Sequence, residues 1–500
     1  MDKINKISSG GTLSKLVLLF FLILYLVFPS GSSTTDGWSY AANIRHAGEI
    51  FHPHHLLYNA FGYFVCWLTS KAGIGVLESM KALNAVFAVL IILFVQLILR
   101  RLGKKEFCAI IVSCLAGFSF SIMRFATENE TYIIPLFFAL AASYNFLEFT
   151  LSAKQRYAVF SAIWATFSVL FHQLFILWWI GILTGIILSK MRRPVLLYCL
   201  ISLAGPIIYL FVIFIISGDL KWVTAISFLS GDFPKNAQLG ISARGLFLSG
   251  ANLFRSFLQI HGYILNMIRS NPLFVIPGII SLVYIFLGLF HLPVREKKAG
   301  ASDFTVVHIL IIVMQFVFAV FAFGNAEFMI MIPVLIFMLI PVLFHDSEKF
   351  LSRIMTGMAI WNLAYAIVPL HYNHHEAEDF LCNAASGNMQ TIVIASDDQL
   401  LKSMIYYRTG NNKIENILKS PALMRLKSAD MRLLENSLDS ALKKGYIIYT
   451  DCLKQKIISR STILEGSINS DFFSKYETAE IKSWESVMGR KVVSRISAKL

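Results

Sequence analysis

Apolar stretches close to ~20 residues long, the length that spans a hydrocarbon core of ~30 Å, recur along most of this chain with short polar connections between them. They predict helices near 14–30, 76–99, 107–123, 132–151, 157–171, 173–189, 195–217, 272–291, 304–323, 327–344 and 353–370. Longer polar or mixed segments interrupt this rhythm. Residues 31–75 are partly apolar, with an aromatic second half, Leu56 to Leu68, that reads as lying against the interface or re-entering. Residues 123–132 are short and acidic. Residues 218–271 mix Lys221, Trp222, Lys235, Arg244, Arg255, His261 and Arg269 with apolar positions, a composition that fits helices lying in the interface plane. Beyond residue 370 the period changes. Thr391–Ala395 and Tyr446–Thr450 are short β-type runs, and Ala429–Lys444 is a helical pattern closed by Gly445. The expected fold is an all-α polytopic membrane bundle of about 11 transmembrane helices over 1–370, followed by a small extramembrane α/β domain over 371–500.

Composition supports the membrane reading. Of the 500 residues 56% are hydrophobic and 15% charged, against about 25% charged in soluble domains. The net charge of +14 would suggest nucleic acid, but its placement argues otherwise. Arg100, Arg101, Lys104 and Lys105; Lys154 and Arg156; Lys190, Arg192 and Arg193; Arg295, Lys297 and Lys298; and Lys349 and Arg353 fall in alternate connections. With Lys3, Lys6 and Lys15 at the start, the positive-inside rule puts all of them on the cytoplasmic side. Residues 31–75, 123–132, 218–271 and the tail are then outside. A bacterial inner membrane, with a periplasmic or extracellular tail, is the expected setting. The first apolar run lacks a small-residue cleavage site and reads as a retained helix. Cys66, Cys108, Cys114 and Cys199 read as packing residues, while Cys382 and Cys452 are positioned in the sequence to pair only if the tail meets an oxidising compartment.

The chemistry-bearing residues gather in the segments expected outside. Asp36, just past the first apolar run, is a carboxylate at the membrane boundary that can accept a proton from a hydroxyl or amine; it reads equally as the cap of a helix over Trp38–Ala47. Glu128 and Glu130 supply further acids, with Arg124 beside them to pair with one, and either glutamate also reads as a cap of the helix that follows. His46, His52, His54 and His55 cluster in the first loop. His52-Pro53-His54-His55 does not by itself have tetrahedral metal spacing, and its histidines serve as well as donors to phosphate or sugar. His172-Gln173 interrupts an otherwise apolar hairpin and reads as lining a cavity. The residues specify no cofactor and no metal ligand set; a divalent metal is compatible with them. Lys235, Arg244, Arg255 and Arg269 suit an anionic headgroup, Arg through its bidentate fork.

Together, Thr35-Asp36-Gly37-Trp38-Ser39-Tyr40, His52-Pro53-His54-His55-Leu56-Leu57-Tyr58, Glu128-Asn129-Glu130-Thr131-Tyr132-Ile133-Ile134-Pro135 and the long loop after the seventh apolar stretch resemble the glycosyltransferase C superfamily over roughly residues 14–345. These are polytopic enzymes that use polyprenyl-phosphate-linked sugars, among them protein O-mannosyltransferases and lipid A aminoarabinose transferases. Two features depart from the pattern: Asp36 has no adjacent acid, and Asn325-Ala326-Glu327 stands where a basic residue is common. The resemblance implies an inverting transfer with the lipid phosphate as leaving group. It implies Asp36 as general base, Glu128 or Glu130 in the acceptor site, and Arg45, Arg244 and Arg255 on the donor phosphate. His52, His54, His55, His172 and Gln173 are then acceptor or sugar contacts. The acceptor would be a lipid, a glycan or a protein, with membrane lipids as further partners and no nucleic acid. A transporter or flippase of a lipid-linked saccharide is the alternative, although no internal repeat is evident. A non-catalytic scaffold presenting residues 371–500 is the third.

Overall fold

The computed structural model describes residues 11–230, 240–295, 302–387, 390–419, 428–453 and 470–499. Lys3, Lys6, Lys235, Lys297 and Lys298 lie outside the described residues. Two compact units emerge: Met1–Ser30, Glu49–His261 and Asn271–Val368 form one, and Gly31–Gly48, Gly262–Ser270 and Pro369–Leu500 form the other.

The first unit is a helix bundle, and each predicted apolar stretch falls on a helix. Among the described residues, seven helical stretches are long and apolar enough to cross a membrane: Val76–Arg101, Ile133–Ser152, Arg192–Ser217, Pro272–Leu289, Asp303–Phe321, Ala326–Leu343 and Glu348–Gly387. Glu106–Phe118 and Phe120–Ala126 make an eighth if counted as one span, bent by 65°. Thr12–Val27 and Gln173–Leu188 are apolar but shorter.

The bend falls at Ser119, whose extended backbone (φ −62°, ψ 140°) interrupts the helical ladder. A break of this kind strands carbonyls that lipid cannot satisfy. Here Ser119 Oγ donates to Ala116 O at 2.6 Å, and the fully buried Asn362 donates to Phe118 O at 2.7 Å. The same amide donates to Phe257 O and accepts from the Gln259 backbone, so one side chain joins three distant segments. Two further polar side chains of the apolar core meet at Ser143. Trp178 Nε1 donates to Ser143 Oγ at 2.9 Å, and His308 Nε2 lies 2.8 Å from the same oxygen.

The second unit is built on a five-stranded mixed sheet in the order Ile417–Lys419, Thr391–Ala395, Ile447–Thr450, Gly489–Ala498, Tyr476–Ser486. The first three strands are parallel and the last two form an antiparallel hairpin. Thr391–Ala395 is an interior strand, paired on both edges and covered on both faces. Val393 and Ala395 pack with Leu381, Leu401 and Met404 on one side, while Ile394 packs with Leu438, Ala441 and Ile448 on the other. That explains its unbroken apolar run. The α/β expectation for the tail therefore holds, with more strands than the apolar runs alone indicate. Cys382 and Cys452 are free thiols: Cys382 donates to Leu401 O and Cys452 to Ile394 O.

Candidate functional site

Within the first unit, the acidic connection folds inward instead of facing solvent. Glu128, Asn129, Glu130 and Thr131 are all buried, Glu128 completely. Asn84, one turn past Lys81 on the Val76–Arg101 helix, donates through one amide to Glu128 O at 2.7 Å and Glu130 O at 2.8 Å. Tyr58 donates to Asn129 Oδ1 at 2.8 Å. A buried charge needs partners, and Glu128 has two: Arg124 Nη1 at 3.3 Å and Lys81 Nζ at 4.0 Å. Both cations also hold Ser30, Lys81 through its carbonyl at 2.7 Å and Arg124 through its hydroxyl at 3.0 Å. The Arg124–Glu128 pairing is as expected from the sequence. The capping expectation for the glutamates is corrected: the helix Ile133–Ser152 starts at Tyr132 with no side-chain cap, because both glutamates precede it by too much chain.

The histidines meet this acidic turn. His52-Pro53-His54-His55 docks on the His172–Gln173 turn: Gln173 N donates to His54 O at 2.9 Å and Gln173 Nε2 to Pro53 O at 2.7 Å. Tyr209 donates to the same Pro53 carbonyl at 2.9 Å, and His54 Nδ1 lies 3.2 Å from Gln173 Oε1. His52 and His55 stack face to face with ring centres 4.1 Å apart. Tyr132 bridges the two groups by stacking on His172 at 4.8 Å while donating to Glu327 Oε2 at 3.0 Å. Burial first, then the charge of Glu130, pushes the Tyr58 phenol well above its usual range. The result is a dense buried network of acids, imidazoles and phenols, with Glu327 and Lys81 as members that sequence reasoning missed. Lys81 carried a readable signal: a lone cation inside an apolar span demands a partner.

Two of the imidazoles, His172 and His55, are held neutral. Burial, then His54 and His52, lowers His172 to about 3; burial, then its histidine neighbours, holds His55 well below the usual range. A folded pKa below the unfolded ~6.5 means the unfolded chain takes up protons first on acidification. The contribution of His172 to stability is intact above about pH 6.5 and is lost as pH falls toward 3. Thermal unfolding in detergent should therefore show stability falling below about pH 6.5. His172→Phe keeps the stack on Tyr132 and should flatten that slope. An unchanged slope would assign the pH sensitivity to other groups.

Asp36 lies in the second unit. The helix Thr35–His46 starts earlier than the predicted Trp38, because Thr34 is its cap and accepts from Gly37 N at 2.9 Å. The capping reading of Asp36 is thereby corrected; it occupies the first turn instead. The segment before it is pinned by Gly31 N to Leu370 O at 2.9 Å, Asn373 Nδ2 to Ser32 Oγ at 2.7 Å and the His375 ring to Ser33 O at 2.7 Å. Thr35 donates to Asp397 Oδ2 at 3.0 Å, which brings that carboxylate beside Asp36. Asp36 is exposed by area, yet enclosing protein and then the charge of Asp397 raise its carboxyl above the ordinary value. Solvent access screens both effects. Arg45, on the same helix, is exposed and lies over the Tyr407 ring at 4.7 Å.

Two further arginines sit in the first unit. Arg244 is exposed near the start of the helix Ala243–Phe257. Arg255 is half-buried, donates to Gln259 Oε1 at 3.1 Å and lies 5.5 Å from the Phe120 ring centre. The predicted amphipathic helices of this region are present as Trp222–Ser230, Ala243–Phe257 and Tyr263–Ser270.

No protein-family model matches the sequence, and no curated protein resembles it at the sequence level. Solved structures do resemble the fold. ArnT from Cupriavidus metallidurans, bound to undecaprenyl phosphate, matches with a TM-score of 0.53 at 10% identity, over 97% of this chain and 98% of that one. The oligosaccharyltransferase of Archaeoglobus fulgidus, in complex with zinc and sulfate, matches at 0.48 and 13% identity, over 88% and 68%. The archaeal oligosaccharyltransferase AglB from the same organism, with an inhibitory peptide and a dolichol-phosphate, matches at 0.46 and 12%, over 88% and 69%. The chain thus shares the fold of the ArnT structure over nearly the whole of both chains.

Proposed function

We propose that this protein is an integral membrane glycosyltransferase that moves a sugar from a polyprenyl-phosphate donor to an acceptor. The observation that supports it most is the ArnT likeness over nearly the whole of both chains, ArnT being a protein captured with undecaprenyl phosphate. In this reading the acceptor oxygen attacks the anomeric carbon and Asp36 takes the acceptor proton. The bond from that carbon to the phosphate oxygen breaks with inversion. Cations stabilise the charge gathering on the leaving phosphate, the role we assign to Arg45, Arg244 and Arg255. We assign the acceptor or sugar contacts to Glu128, Glu130, His52, His54, His55, His172 and Gln173. Glu128 pairs with Arg124 and Lys81, and in this reading those pairs hold its loop in place for the acceptor.

The test is direct. Purified protein in detergent, given a labelled polyprenyl-phosphate sugar and a membrane extract as acceptor source, should move label off the lipid. Proteoliposomes that translocate the intact labelled lipid without cleaving it would instead establish the flippase reading.

A further inference from the structure

A second feature of the first unit is unused by this chemistry. A cleft of about 530 Å³ lies where the connection before Glu106–Phe118 meets the connection between Met331–Leu343 and Glu348–Asn362. That volume is within the ~300–1,000 Å³ of small-molecule sites. Lys104, Lys105 and Lys349 line it, and among the described residues none of the three is in an ion pair, although Asp346 and Glu348 share the lining. Cys108, Pro341 and Phe344 supply an apolar wall. Along Val76–Arg101, Lys81 and Arg101 are separated by twenty residues, roughly 30 Å of helix. The cleft is thus about a bilayer's thickness from the acid–histidine network.

Two helices begin in its lining, and neither has a side-chain cap. Glu106–Phe118 starts after Lys105 and Glu348–Asn362 after Ser347. The acid best placed to cap the first, Glu106, is turned to Gly11 N at 2.9 Å and Arg100 at 3.2 Å. The first-turn amides of both helices thus lack a capping side chain, although each first turn carries one acid, Glu106 and Glu348. Ser347 is only 4% exposed and lines the cleft, and among the described residues its hydroxyl makes no hydrogen bond. That hydroxyl is accessible from the cleft and free to donate to a ligand oxygen. Amide ends, ammonium groups and a hydroxyl donor together are complementary to a tetrahedral oxyanion. The space exceeds what orthophosphate alone needs, and the apolar wall suits the rest of a larger molecule.

We propose that this cleft binds a phosphate monoester whose oxygens sit among Lys104, Lys105, Lys349 and Ser347, with its organic part against Cys108, Pro341 and Phe344. This goes beyond the transferase reading and does not rest on it. The phosphate can be borne by a lipid or by a soluble ester. The experiment uses the full chain in nanodiscs of neutral lipid and three probes: inorganic phosphate, a sugar 1-phosphate, and a polyprenyl phosphate included in the disc. Binding is read as a dissociation constant and as protection of Cys108 from maleimide, mapped by peptide mass. At least one probe should bind and slow Cys108 labelling. Lys104→Gln/Lys349→Gln should weaken it by about tenfold or more, each near-surface lysine contributing ~1 kcal/mol, whereas Lys154→Gln/Lys190→Gln, in other basic connections, should not. Ser347→Ala should weaken binding a few-fold further. Binding of the polyprenyl phosphate alone assigns a lipid source, and binding of the sugar phosphate assigns a soluble one. Equal loss in both lysine pairs, or no protection of Cys108 by any probe, overturns the proposal.

Discussion

Asp36→Asn protein should insert and purify normally yet transfer sugar about 10²–10⁴-fold more slowly, the usual contribution of a positioned general base. Stability should not fall with it. A carboxyl whose folded pKa is raised is one whose charge the fold disfavours, so removing that charge is neutral or mildly stabilising. The pH profile offers an independent check. A base works only when deprotonated, so the acidic limb of the rate should lie above the ordinary carboxylate value. Because Asp397 contributes to the shift, Asp397→Asn should move that limb to lower pH without abolishing transfer. Full activity in Asp36→Asn would remove the base from the mechanism. An acidic limb that Asp397→Asn leaves in place would assign the titration to another group.

Lys81→Met should produce the largest loss of stability. It deletes a cation 4.0 Å from the fully buried Glu128 and a 2.7 Å hydrogen bond to Ser30 O. Breaking one side of a buried ion pair costs about 3–5 kcal/mol, chiefly because a charge is left short of partners. The half-time of thermal inactivation in detergent should shorten accordingly. Lys81→Met/Glu128→Gln should recover much of the loss, since the stranded charge goes with it. If the double variant is no better than the single, the lysine acts through Ser30 and not through Glu128.

The helices of the first unit were legible because length and apolarity suffice to mark them. What happens between them was not. The bend at Ser119 leaves no mark in an unbroken apolar run, since its partner Asn362 is remote in sequence. The docking of Pro53 on Gln173 and Tyr209 was invisible for the same reason, although the sequence marked the polar residues involved. In the tail, the buried strands announced themselves by apolar runs. The hairpin Tyr476–Ser486 and Gly489–Ala498 did not, because its outer strand is exposed over most of its length and carries no clean alternation. The helix Asp398–Thr409 was missed despite readable ends, an Asp397 cap and Gly410 at φ 76°. For Asp36, the sequence marks the residue itself, but Asp397, which accepts from the adjacent Thr35, lies 362 residues beyond that threonine and no local pattern points to it.

The Asn362 amide also sets a timetable for biogenesis. Phe118 O, exposed by the bend, finds its donor in a residue 244 positions later. At a synthesis rate of ~5–20 residues per second the first half of the bundle waits about 10–50 s with that carbonyl unmet. During that interval water, or the insertion machinery, has to occupy the place the asparagine will take. The bent helix is therefore closed last by a chain segment that emerges late, and truncations before residue 362 should leave it the least settled part of the nascent bundle.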